Sequence, residues 1–495
     1  MTPRTVLSVA ASDAYFNLGS FARKITTTSA DAQIWFNRGL TWVYSFNHVE
    51  GAYCFDHAIA HDPRCAMAYW GLAYAVGPNY NKPWESFDLG DLHTSVQRGY
   101  DASRLATKHA INATPLEQAL VETMQARYPT REPAVDYSAV NRSYADAMKL
   151  LYESFGEDLD VATLYADALM NITKPQSADT LEIKAIEMSP TPEQGINAAD
   201  YLRDLVPDAG HVHHMPSHLD ILVGDWRRSI ASNYKSTLAD DKYFDKFGAQ
   251  NFYTFYRMHD YHSLIYAAMF AGKSKTALDA VSRMEATIPE EELKAKPLPH
   301  DQTLYAATTA TTHYARGIAF AATGNVASAR AEQALFQQAY ARVPETRRVY
   351  NGKHIDALKV AAAMLEGEIE YRAANYDQAF AALRRAIELE DQLPYSEPWS
   401  WMQPVRHAYA ALLMEQGHLE DAAAIYRADL GSDASLIRPQ RHPNNVWALQ
   451  GYYECLQRLG RTEEAAVIEQ PVKLALAVAD IPIKVSCFCR VDTSP

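Results

Sequence analysis

The chain has 495 residues, of which 48% are hydrophobic, and this is enough apolar material for a large core. Its formal net charge is −14 at pH 7, and no basic block or lysine–arginine stripe runs along it. An acidic chain of this kind is a poor match for nucleic acid or for an anionic membrane surface, so we expect neither as a partner. No stretch approaches the roughly 18 apolar residues of a membrane helix.

Residues 1–30 are predicted to form an N-terminal extension. The apolar run in this segment is short and Asp13 interrupts it early, so it does not read as a secretory signal. The cysteines are odd in number and scattered: Cys54, Cys65, Cys455, Cys487 and Cys489. They do not make a disulfide framework, and they therefore favour a reducing compartment, so we predict a cytoplasmic protein.

Alanine-rich helical patterns recur along the chain, and alternating β-branched runs are nearly absent. Single turn residues separate successive patterns at spacings of 48, 52, 51, 42 and 43 residues: Gly224, Gly272, Gly324, Asn375, Gly417 and Gly460. Gly or Asn at such positions is expected to supply the left-handed cap between antiparallel helices. Helix–turn–helix units at a regular period predict an all-α solenoid.

The two ends of the chain carry the clearest repeat pattern. Near the start, Trp35–Leu40 and Ala68–Ala73 place large, small and aromatic residues in the order typical of the tetratricopeptide repeat (TPR), which they resemble. This resemblance implies a right-handed α-solenoid of helical hairpins. We predict N-terminal repeats over 31–130, central hairpins over 131–290, C-terminal repeats over 291–475 and a tail over 476–495.

Proline-, asparagine- and tyrosine-rich loops interrupt the repeats at 77–84, 288–302, 393–404 and 438–445. Because these loops are too polar for repeat core, we expect them to close over the concave face as a pocket wall. Glu397, Trp399 and Arg438 on two of the loops form a weak candidate pocket for an anionic or aromatic substrate. The alternative is that they are rim residues that hold loops together.

Histidines are concentrated in one part of the chain. Six of the 17 lie between His211 and His262, and four of these are within the sequence HVHHMPSH at 211–218. Neutral imidazole is the commonest protein ligand for transition metals. Pro216 is expected to move Met215 out of helical conformation and to begin a new helix. Such a bend would point His211, His214 and His218 at one centre.

The next helical pattern offers His259 and His262, which are three residues apart and share a helix face. We therefore predict one metal site from these two histidines and the first three, with His213 pointing away. Asp220 and Asp260 are predicted to orient ligands through the second ring nitrogen. His48 is a candidate additional ligand from the first repeat. For each histidine alone, the structural alternative is a hydrogen-bonded core residue.

The all-nitrogen ligand set favours copper, iron, zinc or nickel over magnesium or calcium. No HExxH sequence is present, so the common zinc-protease arrangement is excluded. Two sets of about three histidines would suit a binuclear copper site. Copper or iron would imply oxidation, and zinc would imply hydrolysis by a bound hydroxide.

Several further segments, together with the core His214–His218, resemble a group of bacterial and fungal proteins described only as TPR-domain proteins. These segments are Phe46–Ala52, Asp62–Gly71, Gly77–Asn81, Arg427–Leu430 and Trp447–Leu449. The similarity extends over nearly the full length, and it implies that His211, His214, His218, His259 and His262 belong to a shared site. It implies no reaction. His213 and the terminal Cys487-Phe-Cys489 are outside the pattern.

Three functions remain open from the sequence. The first is a metalloenzyme on a TPR-like scaffold, with copper- or iron-dependent oxidation of a small organic substrate favoured over zinc-dependent hydrolysis. The second is a TPR module that binds a protein partner in its groove and has structural histidines. The third is a metal carrier or sensor. Because function depends on the site and not on the fold, the repeats alone do not choose among them.

Overall fold

The computed structural model describes residues 11, 14–172, 189–287, 303–349, 352–396, 399–487 and 489–490. Over these ranges the protein is almost entirely helical, with one small antiparallel ladder of β1 (Arg348–Val349) and β2 (Gly352–Lys353). The predicted all-α fold of helical hairpins is confirmed. The hand of the solenoid and loop closure over a concave face stay predictions. Among the described residues, no helix combines the length and apolar character needed to cross a bilayer.

The chain divides into two compact units. The first comprises Met1–Ser189, Asn197–Met215 and Lys235–Arg257, and the second comprises Pro190–Ile196, Pro216–Tyr234 and Met258–Pro495. The predicted five-segment organisation stays a prediction. The helices of residues 30–214 are α1 (Ala30–Tyr44), α2 (His48–His61), α3 (Ala66–Val76), α4 (Leu89–His109), α5 (Pro115–Arg127), α6 (Ser138–Phe155), α7 (Leu159–Ile172), α8 (Ile196–Leu202) and α9 (Gly210–His214).

In the first unit, successive helices pack as hairpins because small residues face large ones. A methyl group on Gly39 or Gly71 would come within 2.8 or 2.3 Å of the Phe55 ring, so both glycines are needed for this ring to fit. Helix α5 begins with a capping box in which Thr114 and Glu117 exchange hydrogen bonds. These local signals fix where the helices start and how closely they approach.

The remaining helices are α10 (Pro216–Val223), α11 (Trp226–Phe247), α12 (Tyr253–Phe270), α13 (Ser274–Glu285), α14 (Ala306–Ala322), α15 (Val326–Tyr340), α16 (His354–Arg372), α17 (Tyr376–Asp391), α18 (Val405–Glu415), α19 (Leu419–Asp429), α20 (Val446–Arg458) and α21 (Thr462–Val478). In the second unit, α14 packs on α15, α16 on α17 and α18 on α19, and α20 packs on both α19 and α21. The alanines at their interfaces, such as Ala379, Ala386 and Ala422, are fully buried.

The turn glycines behave as predicted, with one exception. Gly224, Gly272, Gly324, Gly417 and Gly460 all have φ between 66° and 81°. The turn before α17 differs, because Ala374 takes the left-handed conformation at φ 62° and Asn375 is the N-cap residue of α17 at φ −91°. The prediction that Asn375 supplies the left-handed cap is therefore wrong. The same division of roles holds at Gly324 and Asn325, where Asn325 caps α15.

Cysteines in the tail and in the helices differ in state. Cys487 and Cys489 form a disulfide, whereas Cys54, Cys65 and Cys455 are free and buried. The tail packs on the hydrophobic core of the second unit through both disulfide cysteines. One bonded pair within a two-residue loop is still not a framework that holds distant segments together.

Candidate metal centre

The sequence HVHHMPSH forms two short consecutive helices. Met215 has φ −50° and ψ −40°, which is right-handed helical, and its N–H donates to the His211 carbonyl at 3.1 Å. The expectation that Pro216 removes Met215 from helical conformation is wrong, since that preference is weak enough for a backbone hydrogen bond to override it. Pro216 does begin α10, where its missing N–H costs nothing.

Four side chains of the histidine-rich segment are candidate metal ligands. His211 and His214 on α9 belong to the first unit, His259 and Asp260 on α12 belong to the second, and each of the four offers one ligand atom. All four residues are buried. The His211 and His214 rings stack with centroids 5.0 Å apart, as expected for residues three apart on one helix face.

Aromatic side chains surround His211. The Phe46 ring meets the imidazole edge-on at 4.9 Å, and the Tyr256 ring lies 4.6 Å away. The His211 backbone N–H donates to the Tyr253 hydroxyl at 3.4 Å. These contacts hold the ring in one orientation and keep water from that side, which strengthens any electrostatic interaction that it makes.

Asp240 on α11 was missed by sequence reasoning. This buried carboxylate lies against Gly210, the residue immediately before His211. A methyl group on Gly210 would come within 2.0 Å of Asp240 Oδ1 and within 2.7 Å of the Ser236 carbonyl oxygen. The local signal was the Gly210-His211 pair, but the aspartate is 30 residues later and only the helix packing brings it there.

His213 lies outside the group of four. Its Nδ1 is 2.5 Å from the Arg203 carbonyl oxygen and its Nε2 is 3.2 Å from that of Pro207. Both ring nitrogens therefore face backbone acceptors. His213 is a matched control for its neighbours, because it is a buried histidine on the same short helix.

The other predicted ligands are near the group or away from it. His218 lies beside it, with its ring centroid 6.5 Å from that of His259. His262 is not among the four, and burial lowers its pKa. His48 is engaged elsewhere, with Nδ1 3.3 Å from the Ala75 carbonyl oxygen, and burial lowers its pKa to about 4.

The two aspartates predicted as orienting residues have different positions. Asp260 offers its carboxylate to the group itself. Asp220 is also fully buried, but it is not one of the four, and its Oδ1 lies 3.7 Å from Arg228 Nε. Asp260 is therefore a candidate ligand itself, where the sequence predicted an orienting residue.

The candidate pocket residues contact different parts of the protein. Trp399 stacks on Tyr266 of α12 with ring centroids 4.5 Å apart and planes at 9°. Arg438 Nη2 pairs with Glu193 at 3.4 Å. Glu397 lies outside the described residues. Of the three, Trp399 is the residue that lines a cavity in the second unit.

No protein-family model and no curated protein sequence matches the chain. Among solved structures, it is similar to the P58(IPK) TPR domain at 10% identity and a TM-score of 0.22, over 88% of this chain and 99% of that one. Yeast Tom70 is 13% identical with a TM-score of 0.25, over 90% of this chain and 91% of that one. Ypp1 is 11% identical with a TM-score of 0.27, over 94% of this chain and 63% of that one. At these TM-scores the matches carry no argument, so the fold assignment rests on the helical hairpins described above.

Proposed function

We propose that this protein is a metal-dependent enzyme in which His211, His214, His259 and Asp260 hold one transition-metal ion. The observation that carries the proposal is that His211 and His214 stack as buried rings on one face of α9, and that His259 and Asp260 are buried neighbours on α12. Imidazole and carboxylate are ligand types that transition-metal ions take in proteins, and this set supplies three imidazoles and one carboxylate.

The ligand types narrow the choice of metal ion. Imidazole suits zinc, copper, iron and nickel, whereas magnesium and calcium prefer an all-oxygen shell. The carboxylate of Asp260 adds an oxygen ligand, and mixed histidine–carboxylate sets are typical of non-haem iron. We therefore favour iron, with copper and zinc as the other candidates. Iron or copper would supply oxidative chemistry and zinc would supply a hydrolytic hydroxide.

The protein's own residues contribute positioning and exclusion of water. Phe46 and Tyr256 fix the His211 ring, and the burial of all four ligands removes competing solvent. A small organic substrate fits best with such an enclosed centre. Tyr266, which stacks on Trp399, is seven residues after His259 on α12, about 10 Å along the helix axis. An aromatic wall is therefore within reach of the centre along one helix.

A second candidate function has its own support. In the second unit, α15, α16 and α17 line a cavity of 350 Å³ with polar side chains that include Gln333, Lys359 and Arg385. A groove of that kind on helical hairpins suits a protein partner. This second function gives the four candidate ligands no role. A third function, that of a metal carrier, would need ligands that are more open to exchange than these.

The first experiment is elemental analysis of tag-free protein purified without chelator, beside His214→Ala and His213→Ala variants. We expect near-stoichiometric iron, copper or zinc in the wild type and in His213→Ala, and its loss in His214→Ala. Circular dichroism of all three proteins checks that the helices remain folded. A wild type that holds no metal after purification and reconstitution with each ion would overturn the proposal, and the groove of α15–α17 would then be tested for a partner.

A further inference from the structure

The second unit contains a polar cavity that is separate from the four metal-ligand candidates. Its volume is 90 Å³, and it lies where α17 ends, α18 begins and α19 ends. The loops that follow α17 and α19 complete its wall. Its lining combines charged residues with aromatic and aliphatic ones, among them Glu390, Arg406, Asp429, His442, Trp399 and Trp401.

An ionised aspartate lies at one side of this cavity. Asp429 Oδ2 is 2.8 Å from His407 Nε2, and its Oδ1 is 2.8 Å from His442 Nδ1. Asn445 Nδ2 donates to it at 3.1 Å. Burial alone would raise the pKa of Asp429, but the two histidines lower it well below its usual range. Asp429 thereby orients the His442 ring at the cavity wall through its Nδ1.

Two of the neighbouring acidic residues, Asp391 and Glu390, do not repel an anion, and the charge of Asp429 faces His407 and His442. Arg406 donates to both oxygens of Asp391 at 2.8 and 2.7 Å, so that pair is neutral as a whole. Burial raises the pKa of Glu390 to about 8, although Arg406 and the Val405 N–H oppose the shift. The raised pKa favours the neutral carboxylic acid, which can act as a hydrogen-bond donor.

Three hydrogen-bonding groups in the cavity lining have no partner among the described residues: Ser396 Oγ, Ser400 Oγ and Trp401 Nε1. The atoms are buried, and Ser396 as a whole is only 2% exposed. Buried polar groups without partners are rare because leaving a donor or acceptor unsatisfied in the interior is energetically costly. Since the indole N–H can only donate, it requires an acceptor.

We propose that this cavity is a binding site for a short-chain carboxylate, held by Ser396, Ser400 and Trp401 with Glu390 and His442 beside it. A carboxylate has two oxygens with about four lone-pair sites, and so it can accept from all three unpartnered donors. An amide has one such oxygen and adds two donors that would need acceptors of their own. The cavity volume of 90 Å³ is small, which suits a molecule as small as acetate or glycolate.

The test is a ligand-observed NMR titration of the full chain with acetate and glycolate, with acetamide as the neutral analogue. The variants are Trp401→Phe, which removes one N–H and keeps the ring that packs on Tyr314, and Ser396→Ala/Ser400→Ala. Trp447→Phe is the matched control, because its indole N–H donates to the Met269 carbonyl oxygen away from the cavity.

We expect saturable carboxylate binding in the wild type and in Trp447→Phe. Trp401→Phe should weaken it about tenfold, the loss of one hydrogen bond to a charged acceptor, and the double serine variant should weaken it at least as much. Acetamide should bind at least about tenfold more weakly. Absence of carboxylate binding in the wild type, equal binding of acetamide, or unchanged affinity in both cavity variants would each overturn the proposal. Thermal unfolding of each variant separates loss of binding from loss of fold.

Discussion

The molecule has two buried groups of histidine and aspartate, and they differ in what the aspartate does. In the second unit, Asp429 accepts hydrogen bonds from His407 and His442, so the imidazoles and the carboxylate satisfy one another. In the histidine-rich segment, His211, His214, His259 and Asp260 are candidate metal ligands that offer one atom each. The first arrangement stabilises the fold by itself, whereas the second is the set that we propose to bind a metal ion.

This difference shows that residue type alone does not distinguish a structural group from a metal-binding one. Both groups are buried and both combine the same two side chains. Geometry decides between them: hydrogen bonds of 2.8 Å from imidazole to carboxylate indicate mutual satisfaction. The proposed metal centre requires instead that imidazole and carboxylate atoms are offered to one ion. Exchanging each aspartate for asparagine should therefore have opposite consequences.

The largest effect on stability is expected from Asp429→Asn. This change removes the charge that faces two imidazoles and places an amide N–H₂ against a ring nitrogen that donates. We expect a loss of about 3–5 kcal/mol in the free energy of unfolding, typical of removing one partner from a buried charged network. Denaturant unfolding measures it, and the metal content of the folded variant should equal that of the wild type.

The pH dependence of this effect has a fixed sign. Because the folded-state pKa of Asp429 lies below its usual value, its contribution is present above about pH 4 and is lost as the pH falls through the lowered pKa. The stability difference between wild type and Asp429→Asn should therefore shrink on acidification below about pH 4. A difference that grew towards low pH would contradict an ionised Asp429.

Asp260→Asn should have its main effect on metal binding. The carboxylate is one of four candidate ligands, and even outer-shell partners typically contribute 10- to 100-fold to metal affinity, so we expect a loss of at least about 100-fold. Competition with a chelator of known affinity measures the change. The free energy of unfolding of the metal-free variant should be close to that of the metal-free wild type. Undiminished affinity would remove Asp260 from the ligand set.

Gly210→Ala tests the packing that supports α9. The added methyl group would lie 2.0 Å from Asp240 Oδ1, so the carboxylate or the helix must shift. Overpacking of this kind typically costs about 1–3 kcal/mol. Gly90→Ala on α4 is the control, since the nearest atom to its methyl group would be 3.5 Å away. Alanine is also the better helix former of the two residues. A neutral Gly210→Ala would show that α9 can move without loss.

The sequence was sufficient for features that depend on neighbouring residues. The turn glycines and the start of α10 at Pro216 follow from local backbone preferences. Density of histidine was enough to find His211, His214 and His259 as candidates. It could not find Asp240 or the group around Asp429, because His407, Asp429 and His442 are 22 and 13 residues apart on α18, α19 and a loop. Only tertiary packing brings such residues into contact.

The smallest expected effect concerns two equivalent turns. Ala374 and Gly324 both adopt left-handed conformation, at φ 62° and 79°, directly before an N-cap asparagine. Alanine pays a steric cost of about 1–2 kcal/mol in that conformation, partly offset by the greater chain entropy of glycine in the unfolded state. Ala374→Gly should therefore stabilise the protein by about 0.5–1 kcal/mol, and Gly324→Ala should destabilise it by a similar amount. A methyl group on Gly324 would meet nothing within 4 Å, so thermal unfolding of this pair isolates the backbone contribution. Equal signs for the two substitutions would show that neighbouring contacts outweigh the conformational preference.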